Sequence, residues 1–140
     1  LTDAGFKLAI GSSSKNAGYI LERLGLTDLF PVVADGTKIT NSKPHPEVFL
    51  LAADMLGLRP EDCVVIEDAA AGLSAARTGR FTAVGFAEAK DHELAELSFG
   101  DLDSLFDWFD KDIGGDEPWL RLDSSTSTKA TTARIGSLKT

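Results

Sequence analysis

Apolar positions along the chain fall into two alternating patterns. Short, mostly apolar runs occur at Phe6-Lys7-Leu8-Ala9-Ile10, Phe30-Pro31-Val32-Val33-Ala34, Cys63-Val64-Val65-Ile66 and Phe81-Thr82-Ala83-Val84-Gly85-Phe86. The run at 63–66 is unbroken, so it reads as a strand buried on both faces, because a half-exposed strand would alternate polar and apolar residues. Between the runs, apolar residues recur at helical spacing. Ile20, Leu21 and Leu24 share a face that stops at Gly25, and a helix from Val48 runs to Leu56 before Gly57. Small residues after Asp68 open a third helix that reaches Arg77. Leu102, Leu105, Phe106 and Phe109 predict a terminal helix over 101–109 that packs its apolar face on the sheet. Residues 87–97 read as a solvated loop or helix, and His92 within them has no evident role. Strands that run into helices in this order predict a Rossmann-like α/β fold, a parallel sheet whose ligand crevice lies at the strand tips.

After Gly114-Gly115 the pattern fades into a Ser/Thr-rich stretch with scattered Lys and Arg. The expected organisation is one core domain over 1–112 and a flexible tail over 113–140, mobile from Asp116, with Trp119 and Leu120 able to dock. There is no internal repeat. At 140 residues and 43% hydrophobic content the chain can bury one core. Its 22 acidic against 14 basic residues argue against a nucleic-acid partner, which would need a basic face. A lone cysteine cannot form an internal disulfide, so Cys63 reads as a small core residue in a reducing compartment. No apolar stretch reaches membrane-spanning length and no leader pattern opens the chain, so a cytoplasmic location is expected. Leu1 in place of Met hints at an upstream segment. Oligomeric state is not legible.

Candidate chemistry clusters at the strand ends. Glu67 and Asp68 close the 63–66 run as adjacent hard oxygen donors with no Cys or His nearby, which suits Mg2+ with its retained waters. The other reading is that Asp68 caps the next helix and Glu67 is solvated. Ser12-Ser13-Ser14-Lys15-Asn16 follows the first strand, where backbone N–H and hydroxyl donors can cradle an anion. An ordinary Ser-rich cap would look the same, although Lys15 in a first turn opposes the helix dipole unless an anion sits beside it. Lys43, pinned between Ser42 and Pro44-His45-Pro46 ahead of a helix, can reach a phosphate as a point charge or simply snorkel into solvent. His45 reads as a loop residue rather than a metal ligand. Asp35-Gly36-Thr37 follows an apolar run, but Val33 stands where a nucleophile loop would carry a second carboxylate, so it reads as a turn. Asp101-Leu102-Asp103 reads as a surface helix start.

Taken together, Ser12 at one strand end, Lys43-Pro44-His45-Pro46-Glu47-Val48-Phe49 ahead of a helix, and Glu67-Asp68-Ala69-Ala70-Ala71-Gly72 at the next strand end resemble motifs two, three and four of the haloacid dehalogenase superfamily. The resemblance covers Phe6 to about Phe109 and is nearest to the β-phosphoglucomutases within it, through Ser12-Ser13-Ser14-Lys15-Asn16 and Thr40-Asn41-Ser42-Lys43. It implies a partial phosphotransferase on a phosphorylated sugar, β-glucose 1-phosphate to glucose 6-phosphate in the complete enzyme. By the same resemblance Ser12, the Ser13 backbone and Lys43 hold the transferring phosphoryl group. Ser14, Lys15 and Asn16 hold a second phosphate, and Glu67 and Asp68 complete a Mg2+ site. Alternatives are a sugar-phosphate phosphatase of the same superfamily and a non-catalytic phosphate- or Mg2+-binding piece.

The departures matter equally. The superfamily attacks phosphorus with an aspartate of Asp-x-Asp on a central first strand, and neither that motif nor the helical cap after it is present. The resemblance therefore implies an inactive chain. It also implies an incomplete sheet, with a gap between the strand ending at Ile10 and the one ending at Ile66. Those two strands should either close up or leave exposed edges, with melting below about 55 °C or aggregation as the expected consequence.

Overall fold

The computed structural model describes residues 6–112 and 133–136. Strands and helices alternate as β1 (Lys7–Gly11), α1 (Ala17–Arg23), β2 (Val32–Ala34), α2 (Glu47–Leu56), β3 (Cys63–Glu67), α3 (Ala70–Thr78), β4 (Thr82–Phe86), β5 (Leu97–Phe99), α4 (Leu102–Asp112) and β6 (Ala133–Gly136). All pairings are parallel in one sheet of order β2-β1-β6-β3-β4-β5. The expected α/β class with helices over a parallel sheet is what the structure has.

Alternation along the strands assigns the two layers. Ala9, Val65 and Ala83 face α2 and α3, where Val48, Phe49, Ala52, Ala53, Leu73 and Ala76 complete the larger core. Val64 and Val84 point the other way onto Leu105 of α4, beside Phe99 and Trp108. Phe49 and Phe81 meet edge to face at 6.1 Å between centroids, a favoured aromatic geometry. Helices α1 and α2 end where the sequence places glycine. Gly25 and Gly57 take φ of 68° and 72°, and Leu26 and Leu58 donate back to the carbonyls of Leu21 and Ala53.

Three expectations need correction. The segment 87–97 is neither a helix nor wholly loop: a 3-10 turn at Ala87–Ala89 is followed by β5, which starts at Leu97. With three residues and an exposed Ser98, that edge strand carries no readable apolar run. Helix α4 extends to Asp112, and its Leu102 is 55% exposed while Leu105 is buried.

The third correction concerns the gap. Strands β1 and β3 neither close up nor present bare edges, because β6 lies between them. Ala133, Arg134, Ile135 and Gly136 pair with Lys7 to Ile10 on one side and Cys63 to Ile66 on the other. This strand comes from the stretch the composition assigns to a flexible tail. Ladder hydrogen bonds are made by the backbone, so a segment can fill such a slot without an apolar pattern of its own. The rest of that tail, including Trp119 and Leu120, lies outside the described residues.

Candidate functional site

The carboxyl ends of β1 and β3 carry the residues singled out by sequence. Ser12 follows β1 directly, is 1% exposed, and its N–H donates to the Ala34 carbonyl at 2.9 Å, which ties the loop to β2. The loop then folds on its own hydroxyls: Ser14 N–H donates to Ser12 Oγ at 3.2 Å, and Asn16 N–H to Ser14 Oγ at 3.1 Å. Asn16, not a serine, occupies the N-cap of α1 and makes no side-chain cap bond. Lys15 and Asn16 are exposed at the outer end of this loop, while Ser13 and Ser14 are half-buried. Asp35 accepts from the N–H and hydroxyl of Thr37, which makes 35–37 the turn expected of it. Gly36 presses that turn onto the serine loop. Its N–H donates to the Ser14 carbonyl at 2.9 Å, and a Cβ there would stand 2.3 Å from the Ser13 carbonyl oxygen.

Lys43 joins the two halves of the site. Its backbone N–H donates to Ser13 Oγ at 3.4 Å, and its Nζ lies 2.9 Å from Glu67 Oε2 and 4.7 Å from the centre of the Phe49 ring. It does not snorkel, since its side chain is only 12% exposed. The loop that carries it is shaped by Glu47 at the start of α2. That carboxylate accepts from Thr40 N–H at 2.7 Å, Asn41 N–H at 2.9 Å and Asn41 Nδ2 at 3.0 Å. The bonds from Thr40 and Asn41 hold Glu47 below the ordinary carboxylate range. His45 stays a loop residue, its Nδ1 accepting from Glu47 N–H at 3.1 Å.

Glu67 ends β3 and is 3% exposed, with both oxygens engaged. Oε2 meets Lys43, and Oε1 accepts from the N–H groups of Asp68 and Ala69 at 3.1 and 3.2 Å. Gly72 makes room for it, since a Cβ at 72 would lie 2.0 Å from the Glu67 carboxyl. Asp68 is half-buried beside it, its Oδ1 shut off from solvent. Ala69, not Asp68, holds the N-cap position of α3, so capping does not account for Asp68. Among the described residues no group of three or more His, Cys, Asp or Glu is placed to hold a metal ion. The donor chemistry still fits a hard cation that keeps most of its waters, through Asp68 with Glu67 behind it.

The structure thus brings Ser12, Ser13, Ser14, Lys43, Glu67 and Asp68 to one rim of the sheet and sets Lys15 and Asn16 at its edge. Glu47, Gly36 and Gly72 were not read as contributors. Glu47 and Gly72 sit inside the quoted motifs, but only their contacts reveal what they do.

The family model for haloacid dehalogenase-like hydrolases matches residues 1–79, a stretch that contains every one of these positions. The chain belongs to that family. Among relatives of this haloacid dehalogenase-like chain, β-phosphoglucomutase of Bacillus subtilis is 42% identical over 97 residues, 69% of this chain and 43% of the relative. A fructose-1-phosphate phosphatase of Escherichia coli is also 42% identical, over 53% of this chain and 39% of the relative. The solved β-phosphoglucomutase of Clostridium difficile superposes with a TM-score of 0.72 at 35% identity, covering 79% of this chain and 50% of that one. The chain therefore spans half or less of the length of these relatives. No helix among the described residues is long and apolar enough to cross a membrane.

Proposed function

We propose that this chain supplies the electrostatic half of a Mg2+-dependent phosphoryl-transfer site for a phosphorylated sugar. The observation that carries the reading is the contact of Lys43 Nζ with Glu67 Oε2, with the Lys43 backbone on Ser13 Oγ. It fixes a cation beside a loop of hydroxyls and a pair of carboxylates.

In this reading the Ser12 hydroxyl, the Ser13 N–H and Lys43 hold the transferring phosphoryl group, with the ammonium placed by Glu67 instead of by solvent. Ser14, Lys15 and Asn16 face the second phosphate of a bisphosphorylated sugar. Asp68 holds Mg2+, with Glu67 supporting it from behind. When bound, the cation neutralises charge on the phosphoryl oxygens. None of these groups accepts a phosphoryl group. Asp101-Leu102-Asp103 does not fill that role, because Asp101 accepts from Ser104 N–H at 2.8 Å at the start of α4. The chain alone is accordingly inactive. In a complete cytoplasmic enzyme, with 1–112 and strand β6 as core, the reaction is β-glucose 1-phosphate to glucose 6-phosphate. The second reading, hydrolysis of a small sugar phosphate, is favoured by the similarity to a fructose-1-phosphate phosphatase.

A chimera tests both. The upstream half of the Bacillus subtilis β-phosphoglucomutase is fused ahead of this chain and assayed on β-glucose 1-phosphate. Glucose 6-phosphate formed by the chimera and not by the chain alone supports the mutase. Release of phosphate without isomerisation selects the phosphatase, and neither product overturns the reading. Substituting Lys15 and Asn16 with Ala should abolish isomerisation and spare hydrolysis.

A further inference from the structure

Glu67 and Phe49 hold the ammonium of Lys43 in different ways. Glu67 Oε2, 2.9 Å away, offers a full opposite charge and so competes for the ammonium with any incoming anion. The Phe49 ring, with its centre 4.7 Å from Nζ, offers only the negative face of its π-system. That distance lies inside the reach of about 6 Å within which a ring attracts a cation, and the attraction grows when the pair is withdrawn from water. The Lys43 side chain is 12% exposed and Phe49 is 0% exposed, so the pair is so withdrawn. An aliphatic side chain at 49 would shield the ammonium from solvent and return nothing for the lost hydration.

The ring is itself fixed in place. It meets Phe81 edge to face, and Phe81 in turn stands against the end of α3, where a Cβ at Gly79 would lie 2.7 Å from the Phe81 ring. Phe49 and Phe81 both belong to the larger core, so the ring cannot swing away from Nζ without moving close-packed neighbours. We infer that Phe49 is a positioning residue for Lys43: its ring face stabilises the ammonium where it reaches a phosphoryl oxygen, without adding a second negative charge that would compete for it. The inference rests on the phosphoryl-holding role of Lys43 proposed above and adds to it the group that keeps the cation in place.

The test uses the 140-residue chain with Mg2+ present and inorganic phosphate as the probe, followed through the amide shifts of Ser13 and Ser14 by heteronuclear NMR. Phenylalanine at position 49 is replaced in turn by its monofluoro, difluoro and pentafluoro forms, which keep the outline of the ring while draining charge from its face. The expected result is saturable phosphate binding by the wild-type chain, a Kd that rises with each step of the series, and binding about tenfold weaker at its end. Monofluorination at Phe81, a ring of the same core, should change Kd by less than about twofold, since its contact is with Phe49 rather than with the cation. A constant Kd across the series at 49, or an equal rise from the same substitution at 81, means that the ring serves only as packing. Either result overturns the inference and leaves the reading of Lys43 standing. Phosphate binding unchanged by Lys43→Met, or no saturable binding by the wild-type chain, overturns that reading and the inference with it.

Discussion

Glu67 is held on every side: a cation on one oxygen, two backbone N–H groups on the other, and a glycine that leaves space for the carboxyl. Breaking a buried ion pair by removing one charge costs about 3–5 kcal/mol when nothing else serves the remaining partner. Here an amide at 67 can still accept from Asp68 and Ala69, and Lys43 keeps the Phe49 ring. Glu67→Gln should therefore destabilise by less, about 2–3 kcal/mol, read from urea unfolding with an unchanged slope. Gly72→Ala approaches the same carboxyl from the other side. A methyl 2.0 Å from Glu67 must displace it, and overpacking of this kind costs about 1–3 kcal/mol. If the carboxyl is the obstacle, the double variant Gly72→Ala, Glu67→Ala should lose less than the sum of the two single changes. At this scale residue types were legible and their partners were not. Adjacent carboxylates after an apolar run mark a strand tip, and Lys43 before a helix marks a cation. That the two touch depends on a fold that brings positions 24 apart into contact.

Among elements, the loop into α2 depends most on one side chain. Glu47 is the first residue of the helix, and the three bonds its carboxylate accepts close residues 40–47 into the turn that presents Lys43. Because those bonds hold its pKa below the ordinary value, the stability it contributes is present above the unfolded-state value and lost as pH falls through the folded one. Asp101, lowered by the bonds from Ser104, acts in the same direction at the start of α4. Melting temperature measured from pH 7 to pH 3 should therefore fall at the acid end, and Glu47→Gln should remove part of that fall. A Glu47→Gln profile parallel to the wild type would show that the loop is closed by other contacts. The strands from β1 to β4 were legible as short apolar runs, α1, α2 and α4 through helical spacing with a terminal glycine for α1 and α2, and α3 through the small residues that open it. Strand β5 was not, since three residues with a polar centre carry no period.

For the whole molecule, what sequence could not reveal is the element that makes the sheet continuous. The reading from motifs located the gap between β1 and β3 correctly, and it went wrong in expecting those strands either to close up or to leave exposed edges. Ala133-Arg134-Ile135-Gly136 alternates over too few residues to stand out from the Ser/Thr-rich stretch around it and carries no apolar run, so no side-chain pattern announces β6. Its place is set by unpaired groups on both neighbours, which any extended segment can satisfy. With those edges paired, the basis for expecting melting below about 55 °C is weaker than the sequence suggested, and stability becomes a property of β6. Ile135→Pro tests this at a residue level with Ala9 and Val65, by removing one ladder N–H and stiffening the strand. Leaving a buried partner unsatisfied costs about 1–3 kcal/mol, and at about 3–4 °C per kcal/mol for a chain of this size the melting temperature should drop by about 3–12 °C. If β6 is what couples the two sides of the sheet, the variant should also lose cooperativity, with near-UV circular dichroism of the Phe99–Trp108 side and far-UV signal no longer melting together. An unchanged, coincident transition would mean that β1 and β3 are held in one sheet by something other than β6.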